Sequence, residues 1–209
     1  LDPIENDILK NKSFLIDTSF LTQNVCDEVN KSFQLSVKKI AKSGAKIKEI
    51  NLDEVSESTE LAKNLFPYEA YKSWKKIIEA HPIKMHPPIL SRFRGGISIS
   101  NDDYLKTWNE LKKLRKSFLL KMDQYDAVIS PTCPITPPSV QKLLENDDFF
   151  TKSNLLSLRN TRVANLLGLT SITLPTEIDN CGLMLLSKPN DEINLLKAAH
   201  FIELYFKNN

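Results

Sequence analysis

Only five glycines occur in this 209-residue chain, Gly44, Gly95, Gly96, Gly168 and Gly182, and one pair of them is adjacent. Turns that cradle phosphate or hold a strained nucleophile need clustered glycines, because glycine alone reaches positive φ without steric cost. No G-x-x-x-x-G-K-[ST], G-x-G-x-x-G or G-x-S-x-G motif can therefore be written anywhere in the chain. Phosphate loops, dinucleotide turns and nucleophile elbows are excluded on that ground.

The rest of the composition predicts a soluble globular domain with one sizeable core: 41% hydrophobic, 26% charged and 8% aromatic residues. One domain over 1–209 is expected. Twenty-eight basic and 26 acidic residues give a net charge of +2, which argues against nucleic acid as a partner. Cys26, Cys133 and Cys181 are odd in number and far apart, which argues against a disulfide framework and fits a reducing, cytoplasmic setting. With no C-x-x-C pair, no metal site is expected. No apolar run reaches the roughly 20 residues of a membrane helix, and the opening residues 1–5 lack the features of a signal peptide. The chain begins at Leu1 rather than methionine, so an upstream segment is expected.

Strand and helix patterns alternate, which predicts an α/β fold. Lys12–Asp17 reads as a strand. Val25, Val29, Phe33, Val37 and Ile40 then form a helical stripe, with Asn24 as its N-cap and Gly44 as its C′ residue. A second strand follows over 45–52, completing a unit that normally joins parallel strands. Residues 56–80 are helical in pattern, with Pro67 predicting a break near Phe66. His81 to Pro88 reads as a loop. Asn101 is the expected cap of a helix burying Tyr104, Trp108, Leu111, Phe118 and Met122. The strand 126–130 runs into Pro131-Thr-Cys-Pro-Ile-Thr-Pro-Pro138, a rigid loop. A helix over 155–167 ends at Gly168, strands follow over 171–175 and 181–187, and a last helix spans 190–206.

Few residues offer chemistry. His81, His86 and His200 have no metal-ligand spacing and read as surface or packing residues. Ser-x-x-Lys occurs four times, at Ser36, Ser43, Ser73 and Ser139, but chance gives about two matches in a chain this rich in both residues. The five arginines are more informative. Arg92 and Arg94 straddle Phe93 before Gly95-Gly96, and Arg159 and Arg162 bracket Asn160-Thr161. Such groups suit recognition of a carboxylate or amide oxygen, the alternative being salt bridges at helix ends.

Five segments in order resemble the later half of the amidase signature family. They are Ala41-Lys-Ser-Gly-Ala-Lys-Ile-Lys-Glu-Ile50, Arg92-Phe-Arg-Gly-Gly96 with Asn101-Asp-Asp-Tyr104, Tyr125-Asp-Ala-Val-Ile-Ser-Pro-Thr-Cys-Pro134, Asn165-Leu-Leu-Gly-Leu-Thr-Ser-Ile-Thr-Leu-Pro175, and Gly182-Leu-Met-Leu-Leu-Ser187 running on to Glu192. Members of that family cleave carboxamides with a Ser, cis-Ser, Lys triad. The family's lysine and glycine-serine loop have no counterpart here, and the turn before Gly182 lacks the Gly and Pro residues often found there.

The resemblance implies a mixed sheet flanked by helices, the C-terminal part of an amidase-type α/β/α domain. It implies an acyl-serine hydrolase of carboxamide C–N bonds that needs no cofactor, with this chain supplying pocket and scaffold and being inactive alone. Arg92 matches the family's Arg-x-x-x-Gly arginine and is the first candidate to anchor substrate. Thr132 and Cys133 would shape the pocket's edge, with Arg159 near its mouth. The implied partner is a small-molecule amide, and a homo-oligomer is compatible with this reading. The alternatives are a non-catalytic binding domain and part of an aminoacyl-tRNA amidotransferase A-type subunit.

Overall fold

The computed structural model describes residues 9–208. The opening residues 1–5 lie outside them. Strand β1 (Ser13–Asp17), helix α1 (Asp27–Lys42) and strand β2 (Lys46–Ile50) make the expected parallel unit, with Phe14 opposite Ile47 and Ile16 opposite Glu49. Helices α2 (Asp53–Ala80), α3 (Pro87–Arg94) and α4 (Asn101–Lys121) follow, and then β3 (Ala127–Pro131), parallel to β1 on its other side. Helices α5 (Val140–Glu145), α6 (Asp147–Ser157) and α7 (Arg159–Leu167) lead into β4 (Thr170–Pro175) and β5 (Gly182–Ser187), and α8 (Glu192–Asn208) closes the described chain. The sheet order is β2-β1-β3-β5-β4, with β5 antiparallel to both neighbours. It is a mixed sheet flanked by helices.

Strand alternation separates the two faces of the sheet. Phe14, Ile16, Ala127, Ile129, Leu183 and Leu185 face Phe33 and Ile40 of α1 and Leu195, Ala199 and Ile202 of α8. Leu15, Val128, Met184 and Leu186 face Val55 of α2, Phe118 of α4 and Val163 and Leu167 of α7. A satellite cluster of Ala62, Leu65, Leu111 and Leu166 ties α2, α4 and α7 together farther from the sheet. Phe14, Leu15, Val128 and Leu186 are fully buried, and each such side chain contributes roughly 1.5–3 kcal/mol.

Several boundaries differ from the sequence reading. Pro67 does not break α2, which runs unbroken from Asp53 to Ala80. The proline's missing N–H is outweighed by contacts across the helix: Tyr104 Oη and Trp108 Nε1 donate to Glu69 Oε1, and Tyr68 Oη donates to Asn101 Oδ1 and stacks on Tyr104. Asn24 does not cap α1. It adopts φ 50°, a conformation asparagine tolerates, and Cys26 takes the N-cap position without a side-chain bond. Ser100, not Asn101, caps α4, its hydroxyl accepting from the Asp103 N–H. Pro87 and Pro88 open α3 instead of extending a loop, as proline's fixed φ allows in a first turn. Asn190 precedes α8 in a left-handed conformation. The helix expected over 155–167 is two helices meeting at Leu158. Asn146 caps the first, accepting from the Phe149 N–H.

Glu54, at the start of α2, is buried and accepts from Ser117 Oγ at 2.6 Å and Lys121 Nζ at 2.8 Å on α4. Burial alone would raise its pKa, but the bonds from Lys121 and Ser117 outweigh burial and hold it below the ordinary carboxylate value. A lowered carboxylate pKa stabilises the fold above the unfolded pKa and loses that stability as pH falls. In urea titrations from pH 7 to pH 3, Glu54→Gln is therefore expected to cost stability at neutral pH. It should also flatten the acid loss, and an unchanged slope would refute the assignment.

Candidate functional site

The carboxyl ends of the parallel strands β1 and β3 and the amino end of antiparallel β5 meet at one end of the sheet. Asp17 closes β1 and is fully buried. Its carboxylate accepts from the backbone N–H groups of Ser19, Phe20, Leu21 and Leu52 and from the Ser19 hydroxyl. A charge that organises four amides fixes the turn 18–24 against the start of α2. The next strand is fixed from above: Asn160 of α7, also fully buried, donates Nδ2 to Leu21 O at 3.0 Å and Pro131 O at 2.8 Å. One amide thus locks α7 to the turn after β1 and to the end of β3 and sets where α7 begins, which accounts for the break at Leu158.

Residues 132–139 form an irregular loop, as expected from their prolines. Thr132 is occupied by the sheet. Its N–H donates to Gly182 O, and its hydroxyl pairs with that of Thr173 at 3.1 Å. Cys133 donates its thiol to Ser157 O at 3.2 Å, and burial pushes its pKa up, so it is a weak nucleophile. The Cys26 N–H donates to Pro134 O, pinning the loop to the start of α1.

Arg92, near the end of α3, donates Nη1 to Asn154 Oδ1 of α6 at 2.5 Å. It lines an open pocket of about 280 Å³ together with Phe66, Pro67 and Ala70 of α2, Ile89 and Phe93 of α3, and Asn154 and Leu158. The walls are largely apolar, with one guanidinium and one amide. Arg159 follows Leu158 and stacks over the Phe20 ring at 5.3 Å, with Nε bonded to Asn160 Oδ1. The structure therefore brings Arg92, Cys133 and Arg159 around the α6–α7 junction, whereas Thr132 is bonded to β5 and β4 at the end of the sheet.

Among the described residues, salt bridging accounts for one arginine alone: Arg94 makes a two-pronged pair with Glu79. Two of the three histidines lie against rings, His86 edge-on to Phe150 and His200 beside Phe201, and His81 is exposed. Ser36 and Ser43 of the Ser-x-x-Lys pairs are buried and bond to helix carbonyls. Sequence patterns do not single out Asp17, Asn154 or Asn160. Asp17 carries a signal, an acid ending an apolar strand before Thr-Ser, while the Asn160 contacts join segments 139 and 29 residues apart. Among the described residues, no group of three or more His, Cys, Asp or Glu side chains could hold a metal ion, and no helix is long and apolar enough to cross a membrane.

Comparison with known proteins agrees with this architecture. The chain is 22% identical over 194 residues to 2-amino-5-chloromuconic acid deaminase of Comamonas testosteroni, a match covering 90% of this chain and 42% of that protein. It is 24% identical over 225 aligned positions to the A-type subunit of glutamyl-tRNA(Gln) amidotransferase from Staphylococcus aureus, covering 95% of this chain and 46% of that one. Kluyveromyces lactis allophanate hydrolase superposes with a TM-score of 0.81 at 17% identity, over 96% of this chain and 33% of that structure. The chain thus spans less than half the length of the curated relatives it matches. The Amidase family model matches residues 9–196, and the chain belongs to that family.

Proposed function

We propose that this chain is the substrate-facing part of an amidase-type hydrolase of carboxamides, folding as one domain over 1–209. The observation that carries the reading is the apolar pocket between α2, α3 and α6 with Arg92 on its wall. Apolar walls with a few fixed polar groups are what small-ligand recognition requires. The pocket holds the substrate body while Arg92 and Asn154 fix a polar end, converting binding energy into orientation. Cys133 shapes the rim through its bond to Ser157 O, and Arg159 stands beside Leu158. Thr132 acts indirectly, by tying the end of β3, from which the loop departs, to β5 and β4.

In the reaction, a serine hydroxyl adds to the amide carbonyl, the C–N bond breaks, and the amine leaves carrying a proton. Water then releases the acyl group as a carboxylate. The serine must lose its proton to a base, and the oxyanion must be met by preorganised donors. This chain has no glycine-serine loop for either task, so the nucleophile comes from outside these 209 residues. No cofactor takes part in this scheme. Cys26, Cys133 and Cys181 are free thiols, which suits a cytoplasmic setting.

The purified 209-residue chain is expected to show no amide turnover and no labelling by a serine-directed fluorophosphonate. The protein produced from its natural gene, carrying the other half, is expected to be labelled at one serine outside this chain. Labelling of a serine within residues 1–209 would overturn the reading. The match to an amidotransferase component over 95% of this chain favours one second reading, transfer of the released ammonia to an acceptor. Partner proteins co-purifying with the natural protein would select it.

A further inference from the structure

Charge is placed unevenly along this chain. Residues 70–101 carry six Lys or Arg residues and one acid, Glu79, although the chain as a whole is nearly balanced. Arg94 takes up that acid in its two-pronged pair, and the preceding acid, Glu69, is turned to Tyr104 and Trp108 on α4. Lys72, Lys75, Lys76 and Lys84 are all exposed, and none of them is in a salt bridge among the described residues. Lys72 and Lys75 lie over the Tyr68 and Tyr71 rings at 5.5 and 5.9 Å, contacts that leave each ammonium charged.

The same segment exposes large apolar side chains. Ile83 is 96% exposed, Ile77 58% and Trp74 51%. Trp74 and Ile77 are three residues apart and share one face of α2. The turn that carries Ile83 is tied to that helix, the His81 N–H donating to Ile77 O and the Lys84 N–H to His81 O. With 3.6 residues per turn, Lys72, Lys75 and Lys76 fall on the other side of α2 from Trp74 and Ile77. The core clusters hold α2 through Val55, Ala62 and Leu65, and Ile77 stands about 18 Å farther along the helix than Leu65. The patch therefore occupies the far end of a long helix, outside the core.

A helix with tryptophan and aliphatic side chains on one face and lysines on the other is built to lie in a membrane surface. Nucleic acid would meet the lysines but offers no apolar layer to two isoleucines. A protein partner would cover the isoleucines, but lysine is depleted from such interfaces. We propose that the end of α2 and the turn behind it dock on a bilayer rich in anionic lipid, with Trp74, Ile77 and Ile83 entering the headgroup layer and the four lysines meeting lipid phosphates. The chain lies on the bilayer rather than crossing it, in keeping with the absence of a long apolar helix among the described residues.

The protein produced from its natural gene is to be floated with vesicles of phosphatidylcholine alone and of phosphatidylcholine mixed equally with phosphatidylglycerol. Binding to the anionic vesicles should be at least about tenfold tighter, and should weaken about tenfold or more as salt rises from about 0.1 to about 0.5 M. Trp74→Ser and Ile83→Ser should each weaken it about tenfold. Lys76→Gln and Lys84→Gln should each cost about fivefold, the share of one lysine near a charged surface. Equal binding to the two kinds of vesicle, or binding to neither, would overturn the proposal.

Thermal melting separates a docking side chain from one that is already covered. Ile83→Ser should move the Tm by less than about 2 °C, as a surface substitution does. A larger fall would place Ile83 against the rest of the natural protein and overturn the proposal. Light scattering that showed Ile83→Ser dissolving a dimer, with vesicle binding unaffected, would assign the patch to a second copy. Tighter binding to bulk RNA than to the anionic vesicles would assign the lysines to nucleic acid. Either result would overturn the proposal as well. No step of the experiment needs turnover, so membrane docking and the amidase reading stand or fall separately.

Discussion

Asp17→Asn is expected to destabilise the protein nearly as much as Asp17→Ala, although asparagine is almost isosteric with aspartate. Oδ1 accepts from the Ser19 N–H, the Ser19 hydroxyl and the Leu52 N–H, and Oδ2 accepts from the Phe20 and Leu21 N–H groups. Both oxygens are therefore committed to donors. An asparagine must place its own NH₂ donor against two N–H groups in one orientation, or against three donors in the other. Alanine leaves the same donors unpaired in a position with no solvent access. Each buried unpaired donor costs about 1–3 kcal/mol, and partial relaxation of the turn recovers some of that. A loss of about 3–5 kcal/mol is expected for either variant, and a Tm lower by about 10 °C or more. Urea unfolding decides the matter: an asparagine variant within about 1 kcal/mol of wild type would mean that the carboxylate's charge is not what organises the turn.

The same residue shows where sequence reasoning stopped. The strand ending at Asp17, the second strand read over 45–52 as its parallel partner and the strands read over 171–175 and 181–187 were legible because period-two and 3.6-residue patterns are local. The family resemblance was legible because it rests on short segments in a fixed order. Helix boundaries fared worse wherever a distant contact decided them. Pro67 reads as a break until Tyr104 and Trp108 are seen bonding Glu69 two residues later. The α6–α7 break depends on Asn160 reaching two carbonyls remote in sequence. In the candidate site, Arg92 stood out because arginine is rare here and precedes the glycine pair. Asn154 did not, since an asparagine within a helix carries no pattern of its own. The four nominated residues also separated by environment: a threonine next to a cysteine in one loop proved to have unrelated partners, Thr173 for one and Ser157 for the other.

Gly96→Ala and Gly95→Ala are expected to act in opposite directions despite being neighbours. A methyl group at Gly96 would lie 2.1 Å from Pro67 O, 2.6 Å from Pro67 C and 2.9 Å from Tyr71 Cβ. The first two atoms are backbone, so no side-chain rotation relieves the overlap. Helix α2 is in no position to retreat, because Tyr68, Glu69 and Leu65 bind it to α4 and α7. The turn Gly95–Ser98 must shift instead, and it is continuous with the α3 residues that line the pocket. At Gly95, by contrast, an added Cβ would meet only Pro67 Cβ, at 4.0 Å, and the backbone is already helical at φ −52° and ψ −25°. Alanine there removes freedom from the unfolded chain at no steric cost, a gain of about 0.4–1 kcal/mol. Gly96→Ala should lose about 2–3 kcal/mol, the upper part of the overpacking range, with a Tm lower by about 5–10 °C. Because the displaced turn carries Arg92 with it, the same variant should weaken ligand binding at the pocket, whereas Gly95→Ala should not. Similar melting temperatures for the two variants would show that α2 and the 95–98 turn are not in the contact that makes Gly96 necessary.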